Sequence, residues 1–296
     1  MTPRAWSAFA AASLLWGIPY LFIKIAVDDG VPPVFLSWAR VALGGAVLLA
    51  VSWRAGLLPT LRGHGRWIAS FAVLELAIPF PLIAASEQHI SSSLAAILIA
   101  GVPLIVALLA LRFDHSERVT GSRLAGVLVG LAGVVVLMGI DVAGEPDELL
   151  GAGMVLLSAV GYAAGPMLLK RKLSHLDSRA VMGAALLVTT LLLTPAALLW
   201  PPETTPPAEA WAAIAVLGLL CTAAALAVFG VLVAEAGPGR ALIITYVNPV
   251  VAVALGVVVL GERPGPGAVA GLLLIVAGSY LATGGRVPAR RAAAQR

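Results

Sequence analysis

The sequence predicts an all-α polytopic membrane protein, with ten transmembrane helices in two inverted five-helix repeats around a central cavity. Three observations predict it. Of 296 residues, 60% are hydrophobic and 11% charged, and mean hydropathy is +1.00. A soluble domain carries roughly a quarter of its residues as charges, so much of this surface must face lipid. Apolar stretches of the length that crosses a hydrocarbon core about 30 Å thick, roughly 20 residues, tile nearly the whole chain. Finally, residues 95–140 and 241–285 are two copies of one pattern.

Taken in order, the apolar stretches place helices at about 5–26, 33–53, 66–86, 91–111, 120–140, 149–169, 180–200, 210–234, 241–260 and 267–284. Polar, Pro- or Gly-bearing breaks separate them, among them VDDGVPP, RAGLLPTLRGHGR, SEQHISSS, PPETTPPAE and GERPGPG. The first stretch is too long for the core of a signal peptide. AVDDG follows it rather than a small-x-small cleavage site, so it reads as the first membrane helix. The acidic stretch from Asp141 to Glu148 divides the chain into a first repeat, 1–141, and a second, 148–286, with a basic tail at 287–296.

Each copy of the pattern has a proline inside an apolar helix, a Glu-Arg pair in a short polar break, and a glycine-studded helix. Pro103 and Pro249 are 146 residues apart; Glu117 and Glu262, like Arg118 and Arg263, are 145 apart. Lysine and arginine set the orientation. With the N-terminus inside, 16 of 19 basic residues fall in the N-terminus, the even-numbered breaks and the C-terminal tail. The exceptions are Lys24, Arg40 and Arg263, and the outer breaks are acidic. Both termini are therefore expected in the cytoplasm. Five helices per half is odd, so the second half enters the membrane from the opposite side. A pair of inverted halves, each with an interrupted helix, is the sequence pointer to a secondary transporter with alternating access.

The chain resembles the drug/metabolite transporter superfamily, EamA type, over nearly its full length. SLLWGIPYLFIK, Arg40, SSSLAAILIAGVPLIVALLAL, TYVNPVVAVALGVVVLGE and the glycine-rich helix after each glutamate carry the resemblance. It implies the ten-helix inverted fold and movement of small, often amino-acid-like metabolites, commonly outward. The first copy departs from the pattern, with Ser116 where the second has Gly261 before its glutamate.

Pro103 and Pro249 each remove a backbone donor and crowd the carbonyl four residues back, those of Ile99 and Thr245. Such backbone belongs against protein or a wet cavity, so Gly101–Pro103 and Asn248-Pro249 are expected to face the interior, with Asn248 and Tyr246 offering directional hydrogen bonds to a substrate. Arg40 and Glu75 lie within helices. A charge at a helix centre costs about 2.5–3.5 kcal/mol on insertion scales, so neither is expected to face lipid. Three readings stay open: a structural ion pair, Arg40 as ligand of a substrate carboxylate, or Glu75 as a titrating group coupling transport to protons. Trp16, Tyr20 and Tyr162 open each half and offer ligand walls or ordinary packing. Lys24 is expected to snorkel. Glu87 and His89 occupy a short outer turn, to gate the mouth or to solvate it. Gly126xxxGly130, Gly161xxxGly165 and Gly267xxxGly271 allow close helix approach, within the bundle or at a homodimer interface.

Other functions fare worse. No catalytic residue is proposed: the helices carry no aspartate pair, histidine or Gly-x-Ser-x-Gly, so an intramembrane enzyme is not expected. His64, His89, His115 and His175 fall in separate loops without ligand spacing, and Cys221 is the only cysteine; no metal and no cofactor is expected. The positive charge is scattered, which fits topology rather than nucleic acid. Without a GxxxxGK[ST] loop, an ATP-driven pump is disfavoured. The remaining alternative is a non-transporting membrane sensor or scaffold, for which the longest break is too short to hold an output domain. The partners implied are a small-molecule substrate and the bilayer of the cell membrane.

Overall fold

In the computed structural model of the chain, the structure describes residues 2–113, 121–142, 144–237, 241 and 244–282. His115, Glu117, Arg118, Arg240 and the basic tail 287–296 lie outside the described residues. Among the described residues ten helices follow one another: α1 (Pro3–Asp28), α2 (Pro33–Arg54), α3 (Gly65–Ser86), α4 (Ser92–Phe113), α5 (Ser122–Val142), α6 (Pro146–Lys172), α7 (Ser178–Leu199), α8 (Ala208–Ala236), α9 (Ile244–Leu260) and α10 (Pro266–Ala282). The first eight are long and apolar enough to cross a membrane, and α9 and α10 are shorter apolar helices. Described helix ends fall within about three residues of those expected from apolar periodicity.

Local chemistry explains the ends. Pro3, Pro33 and Pro146 stand in first turns, where the missing N–H is no loss. Thr2, Ser91 and Asp177 cap α1, α4 and α7 through side-chain oxygens that accept from Ala5 N (3.1 Å), Leu94 N (3.2 Å) and Arg179 N (2.9 Å). Gly261 ends α9 at φ +67°, a conformation that favours glycine.

The duplication is visible in the packing. Helices repeated by the duplication lie against their own counterparts, α2 on α7 and α5 on α10. Glycines set these approaches. A Cβ on Gly133 would stand 2.8 Å from Leu274 Cβ, one on Gly271 3.0 Å from the Gly133 carbonyl oxygen, and one on Gly278 against the backbone of Gly130. The glycines of all three small-xxx-small motifs thus meet other helices of the same chain. Large apolar side chains such as Leu198 (72% exposed) and Val258 (81%) cover the outside, which suits a lipid surround.

Three wide turns with i→i+5 bonding interrupt the helices: Val73–Ala77 in α3, Met138–Val142 at the end of α5, and Val216–Ala224 in α8. Such turns gather at functional sites. No apolar period reveals them in the sequence.

Candidate substrate cavity

α1 bends at Gly17–Ile18, and its second segment runs from Pro19 to Asp28. The bend is tied to a close approach, since a Cβ on Gly17 would stand 2.6 Å from Val251 Cβ and 3.2 Å from the Asn248 carbonyl of α9. Trp16 and Tyr20, on either side of the bend, consequently face inward. Trp16 also rests on Phe229 of α8, with ring centroids 4.8 Å apart.

α2 is held close to the wide turn of α8. A Cβ on Gly44 would lie 2.8 Å from Thr222 Cγ2, and one on Gly218 would lie 2.7 Å from Leu43 Cβ. That approach delivers Arg40, whose Nε donates to Thr222 Oγ1 (3.1 Å) while the guanidinium lies 4.1 Å from the Phe80 ring centroid. The Thr222 hydroxyl itself donates to the Leu217 carbonyl at 2.8 Å, five residues back. The wide turn therefore orients the oxygen that receives Arg40.

Glu75 projects from the wide turn of α3 toward α6, where Gly165 leaves the room that its carboxylate fills. Its Oε2 is buried without a hydrogen-bond partner. The pairing of Arg40 with Glu75 is not found: the ion pairs among the described residues are Arg4–Glu235, Lys24–Asp28 and Arg179–Asp177. The guanidinium and the carboxyl group share a chamber without pairing with each other.

That chamber has a volume of about 320 Å³. Trp16, Tyr20, Arg40, Glu75, Pro103, Tyr162, Asn248 and Pro249, eight of the nine residues singled out from sequence, line it. Tyr246 does not. Thr245, Asn248 and Pro249 share one helical face, and Tyr246 is turned roughly 100° from Thr245. Its hydroxyl donates to the Ser279 carbonyl on α10 (3.2 Å), and its ring meets Tyr280 edge-on at 6.2 Å. Sequence reasoning missed Phe80, Thr222 and Thr245 as lining groups. Thr245 was within reach, being three and four residues before the Asn-Pro pair. Thr222 depends on the five-residue spacing of the wide turn, which has no apolar signature.

The two prolines act differently. α4 is interrupted: one segment runs from Ser92 to Ile99 and the next from Val102 to Phe113, with Pro103 in the first turn of the second. The carbonyl taken up across the break is that of Ala100, which accepts from Ser279 Oγ at 3.2 Å. α9 instead runs unbroken through Pro249. There the Asn248 amide, turned to donate, lies 2.8 Å from the Ile244 carbonyl and 3.2 Å from that of Ser13.

At one end of the cavity the link 87–91 joins α3 to α4. Lys24 has its head group at the end of its helix, where its Nζ donates to the Glu87 carbonyl (2.8 Å) and pairs with Asp28 (2.9 Å). Glu87 does not solvate the turn, being 0% exposed. Glu262, from the link after α9, accepts from the backbone N–H groups of Ser92 (2.8 Å) and Ser93 (3.0 Å) and from the Ser93 hydroxyl. It thereby holds the N-terminus of α4. Asp141 holds α10 in the same way, accepting from Gly267 N (3.1 Å) and Ala268 N. At the other end His64 and His175 face each other, Nε2 to Nε2 at 3.0 Å.

A duplicated bundle of apolar helices enclosing one charged and aromatic chamber defines a class, that of polytopic membrane transporters. The sequence pattern of the EamA-like transporter family matches residues 4–139 and again residues 149–284. The chain belongs to that family. It is 30% identical to an uncharacterized inner membrane transporter, YedA, of Escherichia coli K12, over 86% of this chain and 82% of that protein. It is 26% identical to a probable amino-acid metabolite efflux pump of the same strain, over 90% and 91%. A probable terminal-alkyne amino-acid exporter of Streptantibioticus cattleyicolor is 29% identical over 93% and 91%. One solved crystal structure superposes with a TM-score of 0.65 at 25% identity, covering 94% of this chain and 96% of that one. The protein is a multi-pass cell-membrane transporter.

Proposed function

We propose that the protein exports a small zwitterionic, amino-acid-like metabolite by alternating access between its two inverted repeats, 1–141 and 148–286, with both termini cytoplasmic. One observation carries the reading: a cation, Arg40, and a carboxyl group, Glu75, line one cavity without pairing with each other. Arg40 suits a substrate carboxylate, because guanidinium offers a planar fork of donors. Glu75 suits an ammonium group. Trp16, Tyr20, Phe80 and Tyr162 form apolar walls, and the cavity volume of about 320 Å³ falls within the range of small-molecule sites, about 300–1,000 Å³. The names of two relatives, an amino-acid metabolite efflux pump and an amino-acid exporter, support the substrate class. The inside bias of lysine and arginine supports the orientation.

Counterflow in proteoliposomes with a panel of labelled neutral amino acids tests the reading. At least one should accumulate with the wild-type protein. Arg40→Gln should then lose at least about 10-fold in rate, with Arg40→Lys intermediate, since removing a charged hydrogen bond is worth about 1.5–3 kcal/mol. A panel without any counterflow, or an unaltered Arg40→Gln, rejects it.

A further inference from the structure

We propose that Glu87 is a proton-binding site that latches its end of the cavity, protonated while the link 87–91 is seated and ionised when that link swings out. The assignment deepens the transport reading, although neither readout below needs a solute to move.

The geometry leaves this carboxyl group alone. Glu87 is fully buried, and neither Oε1 nor Oε2 has a hydrogen-bond partner. Lys24 lies nearby but is engaged elsewhere, by the Glu87 main-chain carbonyl and by Asp28. Among the described residues no basic side chain pairs with the Glu87 carboxylate. An ionised carboxylate buried without partners costs so much that the group neutralises instead, and here a proton is what neutralises it.

The surroundings agree. From α1 come Tyr20, Lys24 and Asp28, from α2 Arg40, and from the link after α9 Glu262; each acts on Glu87 or is acted on by it. Within the link stands His89, and α6 meets it at Gly151, a turn after Asp147 and Glu148. The part of α8 in this cluster presents Ala210, Ala213, Ile214, Val216, Leu217 and Cys221, and Glu209 stands in the first turn of that helix. Burial pushes the Glu87 carboxyl well above the usual carboxylate range; Lys24 and Arg40 pull it down, and Glu262 and Asp28 push it further up.

The link is also built to move. Ile83, one turn before Glu87, lines the cavity, so Glu87 stands directly beyond its wall. The segment that follows, Ser92–Ile99, is separated from the rest of α4 at Ala100–Gly101. Link and segment can therefore swing together, away from Glu262 and Gly151. Once in water the carboxyl returns to its ordinary value of about 4.3. The sign follows from linkage. Protonation favours the seated state, whose advantage is whole below that ordinary value. It is lost as pH rises through the raised one. Each reseating takes up one proton from the phase that this end faces.

Two readouts on the full-length, solute-free protein in membranes test the proposal. The first is pH-difference infrared spectroscopy in a Glu75→Gln background, which removes the other buried carboxyl with an unpartnered oxygen among the described residues; a protonated-carboxyl band should titrate in Glu75→Gln and vanish when Glu87→Gln is added. The second uses Cys221, the only cysteine and a cavity-lining residue. Its labelling by a membrane-impermeant cationic methanethiosulfonate, added to the face bearing the link, is normalised to that by neutral N-ethylmaleimide. From about pH 5.5 to about pH 8 the wild-type ratio should rise by about 10-fold, the equivalent of one pKa unit, and that of Glu87→Gln should stay flat. Loss of the band on adding Glu87→Gln to Glu75→Gln, together with a flat labelling ratio in Glu87→Gln, supports the proposal, and persistence of either response overturns it. Should Glu87→Gln not fold, the band of Glu75→Gln must titrate at higher pH once Lys24→Met is added, and an unmoved titration is equally fatal.

Discussion

α4 and α9 carry the same signature and end up with different backbones. Each has a proline at corresponding places in the repeat, yet α4 stops at Ile99 and restarts at Val102, while α9 passes through Pro249 without interruption. The neighbours decide. Two residues before Pro103 stands Gly101, a poor helix former; two residues before Pro249 stands Val247. Directly before Pro249 stands Asn248, whose amide supplies a donor to the strained turn. A duplicated proline thus marks where a helix is weak, and the residues around it choose between a break and a kink. The halves share a fold but are not equally jointed, and the joint lies on the side of Glu262 and Glu87.

The sharpest way to break the comparison is at the start of α4. Glu262→Ala removes the acceptor of two backbone N–H groups and one hydroxyl, leaving donors at the N-terminus of a segment buried on nearly every side. Bonds to charged groups are worth about 1.5–3 kcal/mol each, so destabilisation of about 3 kcal/mol or more is expected, with Glu262→Gln retaining part of it. Thermal unfolding in detergent reads this directly. Equal melting of Glu262→Ala and wild type would deny the carboxylate its capping role.

A smaller, paired effect separates the prolines. Ser279→Ala should cost about 1 kcal/mol by stripping the Ala100 carbonyl of its hydroxyl donor at the break in α4. Asn248→Ala should cost about 1–2 kcal/mol at α9, because the Ser13 and Ile244 carbonyls lose the side-chain amide that ties α1 to the kink. The two sites have separate partners, so the double variant should be additive within about 0.5 kcal/mol. A coupling beyond that would mean that the two joints are one mechanical unit.

Much of this was legible beforehand. Helix positions follow from apolar length alone, and five of the eight expected residues that line the cavity follow from two rules: charges avoid lipid, and broken backbone avoids it too. What escaped was local register. Glu75 and Thr222 sit in wide turns that shift every later side chain around the helix, and Tyr246 was misplaced because an aromatic neighbour of Asn-Pro was credited with the same face. Polar partners escaped as well. Sequence left Glu87 open between gating the mouth and solvating it, since it cannot show that Lys24 bonds the Glu87 main-chain carbonyl or that the Glu87 side chain is buried.

The smallest expected effect is at the residue that makes α4 differ. In the broken conformation a Cβ on Gly101 would stand 3.1 Å from the Leu98 carbonyl oxygen, a tight contact that a continuous helix relieves. Gly101→Ala also gains about 0.5–1 kcal/mol of helix propensity. These terms pull the same way, toward an α4 that resembles α9, while Pro103 still withholds its N–H. The net stability change should therefore stay within about 1 kcal/mol. Amide exchange across residues 98–104 should nevertheless slow several-fold, because the joint opens less often. If Gly101→Ala leaves exchange there unchanged, the break belongs to Pro103 and its packing, and Gly101 does not account for the difference between the two halves.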